Sequence, residues 1–211
     1  MKILNLYACL GGNRYKWDEV ADVEVTAVEY DPELAKLYQE RFPNDTVIVA
    51  DAHQYLLDHY DEYDFIWASP PCPSHSRARN YNSKYKAIYP DMKLYEEIIL
   101  LETRFKGKFC VENVIPYYEP LIPAKQRGRH LYWTNFNLPH DLGERPSGIM
   151  ESKDELNKWC KFHDYDFRKY KGEQRTDKIA RNLVDYEAGK TILESALGVI
   201  IKENQNQIEL F

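Results

Sequence analysis

Residues 2–13, KILNLYACLGGN, decide the fold of this chain. The apolar run over residues 2–8 predicts a buried strand, and the two glycines that follow predict a tight turn. Residues 13–21 are compatible with a helix, and the valine-rich residues 23–29 predict a second strand. A strand, a glycine turn, a helix and another strand make the first βαβ unit of a parallel sheet.

The same alternation continues along the chain. Asp31-Pro32 predicts a helix start, with the aspartate as N-cap and the proline at the first helical position. Further strands are predicted at residues 46–50, 63–68, 109–112 and 132–136, and helices at residues 32–42, 54–59, 90–105 and 185–197. The pattern predicts an α/β protein with a mostly parallel sheet covered on both faces.

The composition excludes several classes of protein. With 44% hydrophobic and 29% charged residues over 211 positions, the chain can form one domain, or one domain with a small appendage. No apolar run reaches the roughly 18 residues of a membrane span, and the start lacks a signal-peptide pattern. The four cysteines show neither CxxC pairs nor zinc-type spacing with histidine. We therefore expect a cytoplasmic protein with no metal site and no membrane segment.

The charge is distributed unevenly. The net charge of −6 argues against a nucleic-acid partner. Residues 1–73, however, hold 5 Lys/Arg against 14 Asp/Glu, whereas the remainder holds 23 against 20. The basic part of the chain can still bind an anionic partner.

Three features at strand ends predict a nucleoside-bearing cofactor, because ligands of parallel sheets lie at the carboxyl ends of the strands. The glycines of YACLGGN let a backbone approach an anionic ligand, or form only a tight turn. Glu29 can bind ribose hydroxyls or be a solvated strand end, and Asp51 can accept from an adenine amino group or cap a helix. No phosphate-binding P-loop is present, which argues against ATP.

SPPCPSHS, residues 69–76, is the most specific segment. Its prolines fix the backbone and hold the Cys72 thiol at the end of a strand. Basic neighbours such as Arg77 are expected to lower the pKa of this thiol and make it a nucleophile, although a lone cysteine is more often buried and inert.

Two further pairs of candidate site residues lie at the end of the fifth strand and after it. Glu112 and Asn113 end that strand in CVENV, and a buried acid needs a partner; a protonated Glu112 can donate to a ring nitrogen of a bound base. Arg127 and Arg129 alternate in QRGRH, so in an extended segment both point to one face. That face suits an anion or a base carbonyl, or it carries a solvated pair.

Together these motifs resemble the DNA cytosine-5 methyltransferase family, specifically its short phage and prophage enzymes. YACLGGN, AVEYD and ADAH resemble the three S-adenosylmethionine motifs, and SPPCPS resembles the catalytic Pro-Cys loop. CVENV, QRGRH and ARNLV (residues 180–184) resemble the Glu-Asn-Val, arginine and C-terminal motifs. The motifs follow the family order from about residue 4 to residue 197.

The resemblance implies a Rossmann-like S-adenosylmethionine-dependent methyltransferase fold with a small target-recognition appendage. Its parts would be a catalytic and cofactor-binding domain (1–133), a target-recognition region (134–175) and a C-terminal segment returning to the catalytic domain (176–211). It also implies a role in restriction-modification. We expect the protein to be a monomer.

The resemblance also implies the roles of individual residues. Cys72 attacks C6 of a cytosine flipped out of double-stranded DNA, Glu112 donates to N3, and Arg129 with Arg127 holds O2; Asn113 belongs to the same catalytic group. The cytosine C5 then takes the methyl group from S-adenosylmethionine. The implied cofactor-binding residues are Tyr7, Gly11, Gly12, Glu29, Tyr30, Asp51, Pro70 and Asn182.

The chain departs from the family pattern in three ways. Cys9 stands at the usual glycine and Asn5 at the usual aspartate, the arginine motif reads Lys125-Gln126-Arg127-Gly128-Arg129, and the target-recognition region is small. Cys9 and the small region motivate one alternative, a catalytically impaired DNA-binding relative; a cytosine-5 methyltransferase acting on RNA is another.

The protein surface is expected to have two sides, with the positive side centred on Cys72. Residues 74–89 are expected to form a mobile loop over the flipped base. Residues 158–181 hold eight Lys/Arg against four acids. Their basic groups are expected to bind phosphates, and their aromatics to fill the space left by the base, a solvated amphipathic segment being the alternative. The aromatics are Trp159, Phe162, Tyr165, Phe167 and Tyr170.

Overall fold

A seven-stranded sheet forms the centre of the molecule. The computed structural model describes residues 1–77, 86, 88–143, 148–150 and 152–199. The strands are β1 Lys2–Leu6, β2 Glu24–Glu29, β3 Thr46–Val49, β4 Phe65–Ala68, β5 Lys108–Val114, β6 Lys125–Arg127 and β7 His130–Thr134.

The strand order is β3-β2-β1-β4-β5-β7-β6. The first five strands are parallel, and β7 runs antiparallel to both β5 and β6. The predicted α/β class with a mostly parallel, Rossmann-like sheet is therefore confirmed. Because β1 to β5 are parallel, their carboxyl ends meet at one edge, where a ligand is expected.

Within the described ranges six α-helices accompany the sheet: α1 Pro32–Arg41, α2 Ala52–His59, α3 Lys93–Arg104, α4 Glu155–Phe162, α5 Thr176–Asn182 and α6 Tyr186–Ala196. The Asp31 side chain accepts from the amides of Glu33 and Leu34, which confirms the predicted N-cap of α1. Asp51 and Asp185 cap α2 and α6 in the same way. The sequence patterns predicted neither β6 nor the helices α4 and α5.

The predicted helix over residues 13–21 is wrong. The segment forms only a 3-10 turn at Trp17–Glu19. Its backbone packs directly on α6, where a Cβ added at Gly189 would lie 2.1 Å from the Asn13 carbonyl oxygen. The buried Arg14 side chain reaches Asp45 at 2.9 Å, so tertiary contacts fix this segment in a non-helical path.

Apolar clusters cover both faces of the sheet, as predicted. On one face α2 and α3 pack through Leu56, Ile98 and Leu101. On the other face α6 packs through Ile192 and Leu193 against a cluster that includes Trp17, Phe65, Trp67 and Cys110. The C-terminal helix thus returns to the sheet. Gly189-Lys190-Thr191 lies within this helix, so it forms no phosphate-binding loop.

The aromatic residues of the basic segment are packed inside the molecule. Trp159, Phe167 and Tyr170 are at most 4% exposed, and they join a cluster with Leu10 of the turn after β1 and Leu34 of α1. Phe162 and Tyr165 pack against the same cluster. The expectation that these rings fill the space of a flipped base is therefore wrong, because burial against the sheet domain uses their surface.

Candidate cofactor and cytosine site

A cavity of about 400 Å³ opens at the carboxyl ends of the parallel strands. Its volume is in the range of small-molecule sites, roughly 300–1,000 Å³. Most of the predicted cofactor residues line it: Tyr7, Gly12, Glu29, Tyr30, Asp51, Pro70 and Asn182. Gly11 does not. The strand ends thus bring residues from five separate motifs to one space.

Glu29 lies at the end of β2 and is 9% exposed. Its Oε2 accepts from the Cys9 amide at 2.7 Å, and its Oε1 accepts from the Asp31 amide at 2.9 Å. Burial raises the pKa of this carboxyl, while the amide hydrogen bonds oppose the shift. Each oxygen retains a lone pair, so the carboxylate can also accept from a ligand hydroxyl.

The turn after β1 is shaped by close packing. Gly11 has φ +66°, and a Cβ there would lie 2.4 Å from the Phe42 ring, so this glycine turns the chain behind the cavity. At Gly12 a Cβ would lie 2.2 Å from the Val184 carbonyl oxygen. Cys9 adopts φ +48°, a conformation that favours glycine, at the position where the family has one.

Asp51 and Tyr30 face the cavity from neighbouring strand ends. Asp51 Oδ1 caps α2, which is the simpler of the two predicted roles, and its Oδ2 lies 3.4 Å from Lys93 Nζ. The carboxylate is half exposed, so Oδ2 remains accessible to an amino group. Tyr30 is 78% exposed, which leaves its ring free to stack on a ligand.

The C-terminal motif closes the cavity from the other side. Asn182 ends α5, and Leu183 and Val184 follow it along the wall. Gln174 also lines the cavity, and its side chain donates to Asp31 Oδ2 at 3.0 Å. The chain segment past residue 170 therefore lies against the cofactor-binding strands.

The Cys72 loop is held by Asn113. The Asn113 side chain is buried and donates from Nδ2 to the Pro70 carbonyl at 2.9 Å. The amides of His75 and Ser76 both donate to the Cys72 carbonyl at 3.0 Å, which forms a turn directly after the thiol. Since Pro70 also lines the cavity, this one loop carries the thiol beside the cofactor space.

The expected low pKa of the Cys72 thiol is wrong. Burial raises this pKa, and the nearby Glu112 carboxylate raises it further. Lys178 and Arg129 lower it, whereas the Arg77 guanidinium is engaged with the Pro116 carbonyl at 3.0 Å. Two cations and one carboxylate thus influence the thiol, and the positive surface expected around Cys72 stays a prediction.

Glu112 projects from β5 next to the β4 loop that carries Cys72. Its side chain is 12% exposed, and its Oε1 lies 3.6 Å from His130 Nε2. A carboxyl at this place is a candidate general acid for a ring nitrogen of a bound base.

The two arginines do not share a face, contrary to the prediction. Arg127 ends β6, and Gly128 with φ +53° turns the chain so that Arg129 lies in the connection to β7. Arg127 donates to the carbonyls of Leu138 and Pro139, which fixes the following segment. Arg129 is exposed, and its Nη1 lies 3.5 Å from Met150 Sδ. The turn thus separates Arg127, which fixes the following segment, from the exposed Arg129.

Sequence reasoning missed two residues of the site. His75 is 1% exposed, lines the cavity, and places Nδ1 2.5 Å from the Tyr118 hydroxyl. Its spacing of one helical turn from Cys72 in SPPCPSHS could have indicated it. Lys178 lies outside the quoted motifs; the sequence placed it only among the eight Lys/Arg of residues 158–181, with no sign that it lies near Cys72.

Part of the predicted mobile loop over residues 74–89 lies outside the described residues, as do Arg79 and Lys84. Within the described part of the chain, no helix is long and apolar enough to cross a membrane. The same residues contain no cluster of three metal-binding side chains, and all four cysteines are free.

Comparison with solved structures finds partial likenesses. A mutant form of DNMT2 from Spodoptera frugiperda is 28% identical, with a TM-score of 0.39 over 54% of this chain and 35% of its own. A candidate DNA modification methyltransferase encoded within an Escherichia coli prophage is 18% identical, with a TM-score of 0.38 over 56% and 33%. A SAM-dependent methyltransferase from Agrobacterium tumefaciens is 16% identical, with a TM-score of 0.41 over 56% of this chain and 40% of its own. This chain thus spans about a third of the length of the first two.

No curated protein matches the sequence. The family described as C-5 cytosine-specific DNA methylase matches residues 1–115, which is more than half of the chain. That stretch contains β1 to β5, the cavity residues contributed by their ends, and both Cys72 and Glu112. The chain belongs to the C-5 cytosine-specific DNA methylase family.

Proposed function

We propose that this protein methylates C5 of cytosine in double-stranded DNA, with S-adenosylmethionine as the methyl donor. The observation that carries the proposal is the Pro70–Cys72 loop. It lines the cofactor cavity through Pro70 and holds the thiol within electrostatic reach of Glu112. A nucleophile, an acid and a cofactor space at one sheet edge are what cytosine C5 transfer needs.

The cavity residues fit S-adenosylmethionine. Glu29 offers a buried carboxylate to ribose hydroxyls, Asp51 Oδ2 offers an acceptor to the adenine amino group, and the exposed Tyr30 ring offers a stacking surface. Asn182 and the backbone at Gly12 border the remaining space. When bound, the cofactor supplies an electrophilic methyl group.

The catalytic residues act on the cytosine as follows. The Cys72 thiolate bonds to C6, the C5=C6 π electrons form a C4=C5 bond, and the C4=N3 π electrons take a proton from Glu112 onto N3. C5 of this adduct would then take the methyl group that the cofactor supplies, the cofactor sulfur keeping the electrons of the broken bond. Water removes the C5 proton, the C5=C6 bond re-forms as the Cys72 thiolate leaves C6, and N3 returns its proton to Glu112. Asn113 keeps the loop in place through Pro70.

We propose that bound DNA completes the site around Cys72. In the free protein, burial and Glu112 favour the thiol. Lys178 and Arg129 act in the opposite direction and are exposed, so both can also contact phosphates or the base. The target cytosine must leave the duplex, since its C6 is inaccessible within the stack.

The region over residues 134–175 is proposed to recognise the DNA sequence through exposed basic groups such as Lys158, Lys161 and Lys169. Cytoplasmic location belongs to the same proposal, supported by the free cysteines of the described residues. A monomeric state is proposed with it. A link to restriction-modification is proposed from the motif resemblance.

The test is tritium transfer from labelled S-adenosylmethionine to duplex DNA, followed by trapping on DNA that contains 5-fluorocytosine. We expect transfer and a covalent complex, because fluorine at C5 cannot leave as a proton does. Cys72→Ser should abolish both, whereas Cys160→Ser, at a cysteine of α4 outside the Pro70–Cys72 loop, should retain both.

Three results would contradict the proposal. Duplex binding without any transfer would identify a catalytically impaired DNA-binding relative, for which Cys9 is the first residue to revert to glycine. Transfer to RNA with none to DNA would identify an RNA enzyme. A covalent complex that persists in Cys72→Ser would assign the nucleophile to another residue.

A further inference from the structure

A buried polar cluster lies directly behind the cofactor cavity. Its centre is Glu97 on α3, which is 1% exposed. Glu97 Oε1 accepts from the Tyr7 hydroxyl at 2.5 Å and lies 3.0 Å from His53 Nδ1. Tyr7 itself lines the cavity. One carboxylate oxygen thus joins the first cofactor motif to α2 and α3.

His53 connects this carboxylate to the surface. Its Nε2 lies 3.2 Å from Glu96 Oε2, so each ring nitrogen faces a carboxylate oxygen. Both nitrogens donate only in the imidazolium form. The hydrogen bond to Glu97 raises the pKa of His53 above its usual value, against opposing contributions from burial and Lys93. The protonated ring therefore serves as the counter-ion of a buried carboxylate.

Tyr7 needs an anchor because of its backbone. It adopts φ +57°, a left-handed conformation that is uncommon for a residue with a side chain. The position begins the turn whose next residues include Cys9, which donates to Glu29. The Tyr7–Glu97 hydrogen bond ties this turn to α3. A phenylalanine here could pack in the same place but could not make the bond.

We propose that Glu97 is a positioning residue that holds Tyr7 against the cofactor cavity and couples cofactor affinity to the protonation of His53. The proposal rests on the proposed function, because it takes the ligand of that cavity to be S-adenosylmethionine. Glu97 touches neither cofactor nor cytosine, since it lies outside the cavity lining and acts through Tyr7.

The pH dependence has a definite sign. The charged groups facing the cluster are Glu96 and Lys93 beside His53, with Asp51 and Asp91 acting on Tyr7. Below the raised pKa of His53 the imidazolium is present and Glu97 is neutralised. As the pH rises through that pKa, the counter-ion is lost and the buried carboxylate keeps only neutral hydrogen-bond partners. Cofactor affinity is then expected to decline.

The experiment measures S-adenosylmethionine binding to the full chain by calorimetry between pH 6 and pH 9. Tyr7→Phe and Glu97→Gln should each weaken binding about fivefold to tenfold, roughly the effect of one buried hydrogen bond. The double variant should bind no more weakly than the poorer single variant, because both changes break the same contact. Glu102→Gln, at an exposed position of the same helix, is the matched control and should bind like the unaltered protein.

A second measurement needs no cofactor. The His53 ring resonance in NMR should titrate above the usual histidine range in the unaltered protein and fall toward it in Glu97→Gln. The decline of cofactor affinity with rising pH should disappear in the same variant. If Glu97→Gln does not fold, His53→Gln should remove the pH dependence in its place.

Additive losses in the double variant, or a pH profile that Glu97→Gln leaves unchanged, would overturn the positioning role. If the unaltered protein binds no S-adenosylmethionine, the proposed function fails with the coupling. The NMR titration then still decides whether Glu97 and His53 interact, so the two failures are distinguishable.

Discussion

The cofactor edge and the chain after β5 differ in how their predicted residues are arranged. At the cofactor edge, residues from the ends of β1, β2 and β3 and from the turn at α5 converge on one cavity. After β5, Arg127 and Arg129 are predicted to act together but separate at a turn. The aromatics of residues 158–181 similarly leave the expected interface and enter the core.

This difference has a physical origin. Parallel strands place all their carboxyl ends at one edge, so the order of elements in the sequence already places the residues there. In an antiparallel hairpin, the turn determines where each side chain points, and one glycine with positive φ is enough to separate two neighbours. Residues positioned by topology are thus predictable, whereas those positioned by a turn or by packing are not.

The largest expected effect concerns Trp159, which tests whether the aromatics of residues 158–181 belong to the core. If it belongs to the core, Trp159→Ala should lower the free energy of unfolding by about 3–5 kcal/mol, as for other buried aromatics. Its ring is 1% exposed, and its Nε1 donates to Glu155 at 3.0 Å. Denaturant unfolding measures the effect. Duplex affinity of the folded protein should stay unchanged at a temperature where the variant remains native.

Lys158→Ala, at the exposed neighbour, is the matched control. Its stability should change by less than about 0.5 kcal/mol. If Lys158 binds a phosphate, the slope of log affinity against log salt should fall by about one. A stable Trp159→Ala that loses duplex binding would restore the interpretation of this segment as an aromatic DNA surface.

The next test separates the two arginines. Arg127→Ala removes the donors to the Leu138 and Pro139 carbonyls and should destabilise the protein by roughly 2 kcal/mol. Arg129→Ala leaves the stability unchanged, because the side chain is exposed, but should lower methyl transfer about tenfold. Thermal unfolding and steady-state methylation of each variant measure the two effects.

Equal losses of activity at equal stability in both variants would show that the arginines act as the pair that the QRGRH spacing predicts. Lysine at each position sharpens the result further. A lysine cannot reproduce the planar fork at position 127, so Arg127→Lys should still be destabilised, whereas Arg129→Lys should retain part of its activity.

Much of the sheet could be predicted from the sequence. Apolar runs and capping residues such as Asp31 indicated β1 to β5 and four of the helices within a few residues. The segment after β1 was predicted incorrectly because buried Arg14 and the backbone contact with Gly189 override its helix propensity. Both partners lie far away in the sequence, so no local pattern contains them.

The site shows the same division. Cavity residues such as Glu29 and Asp51 could be predicted because the sequence pattern located the ends of the strands, where ligands of parallel sheets bind. The Glu97 cluster was not, since its three members come from three elements and Glu97 occupies an ordinary helical position. The sign of the Cys72 pKa shift also escaped prediction, because burial and the position of Glu112 outweigh the basic neighbours in the sequence.

The smallest expected effect concerns the reactivity of Cys72, where the two parts of the molecule meet. Because its pKa is raised, the alkylation rate should rise about tenfold per pH unit from pH 7 to pH 8, following the thiolate fraction. Glu112→Gln removes a negative charge and should speed alkylation about twofold at a fixed pH, while Lys178→Ala should slow it by a similar factor. Iodoacetamide labelling followed by peptide mass spectrometry measures the rate at Cys72 separately from the other cysteines.

Since Lys178 is exposed, its effect on the alkylation rate should fade in high salt, whereas that of the partly buried Glu112 should persist. Opposite salt responses would show that the thiol lies between a cation facing DNA and an acid facing the base, and equal responses would place both groups on the solvent side.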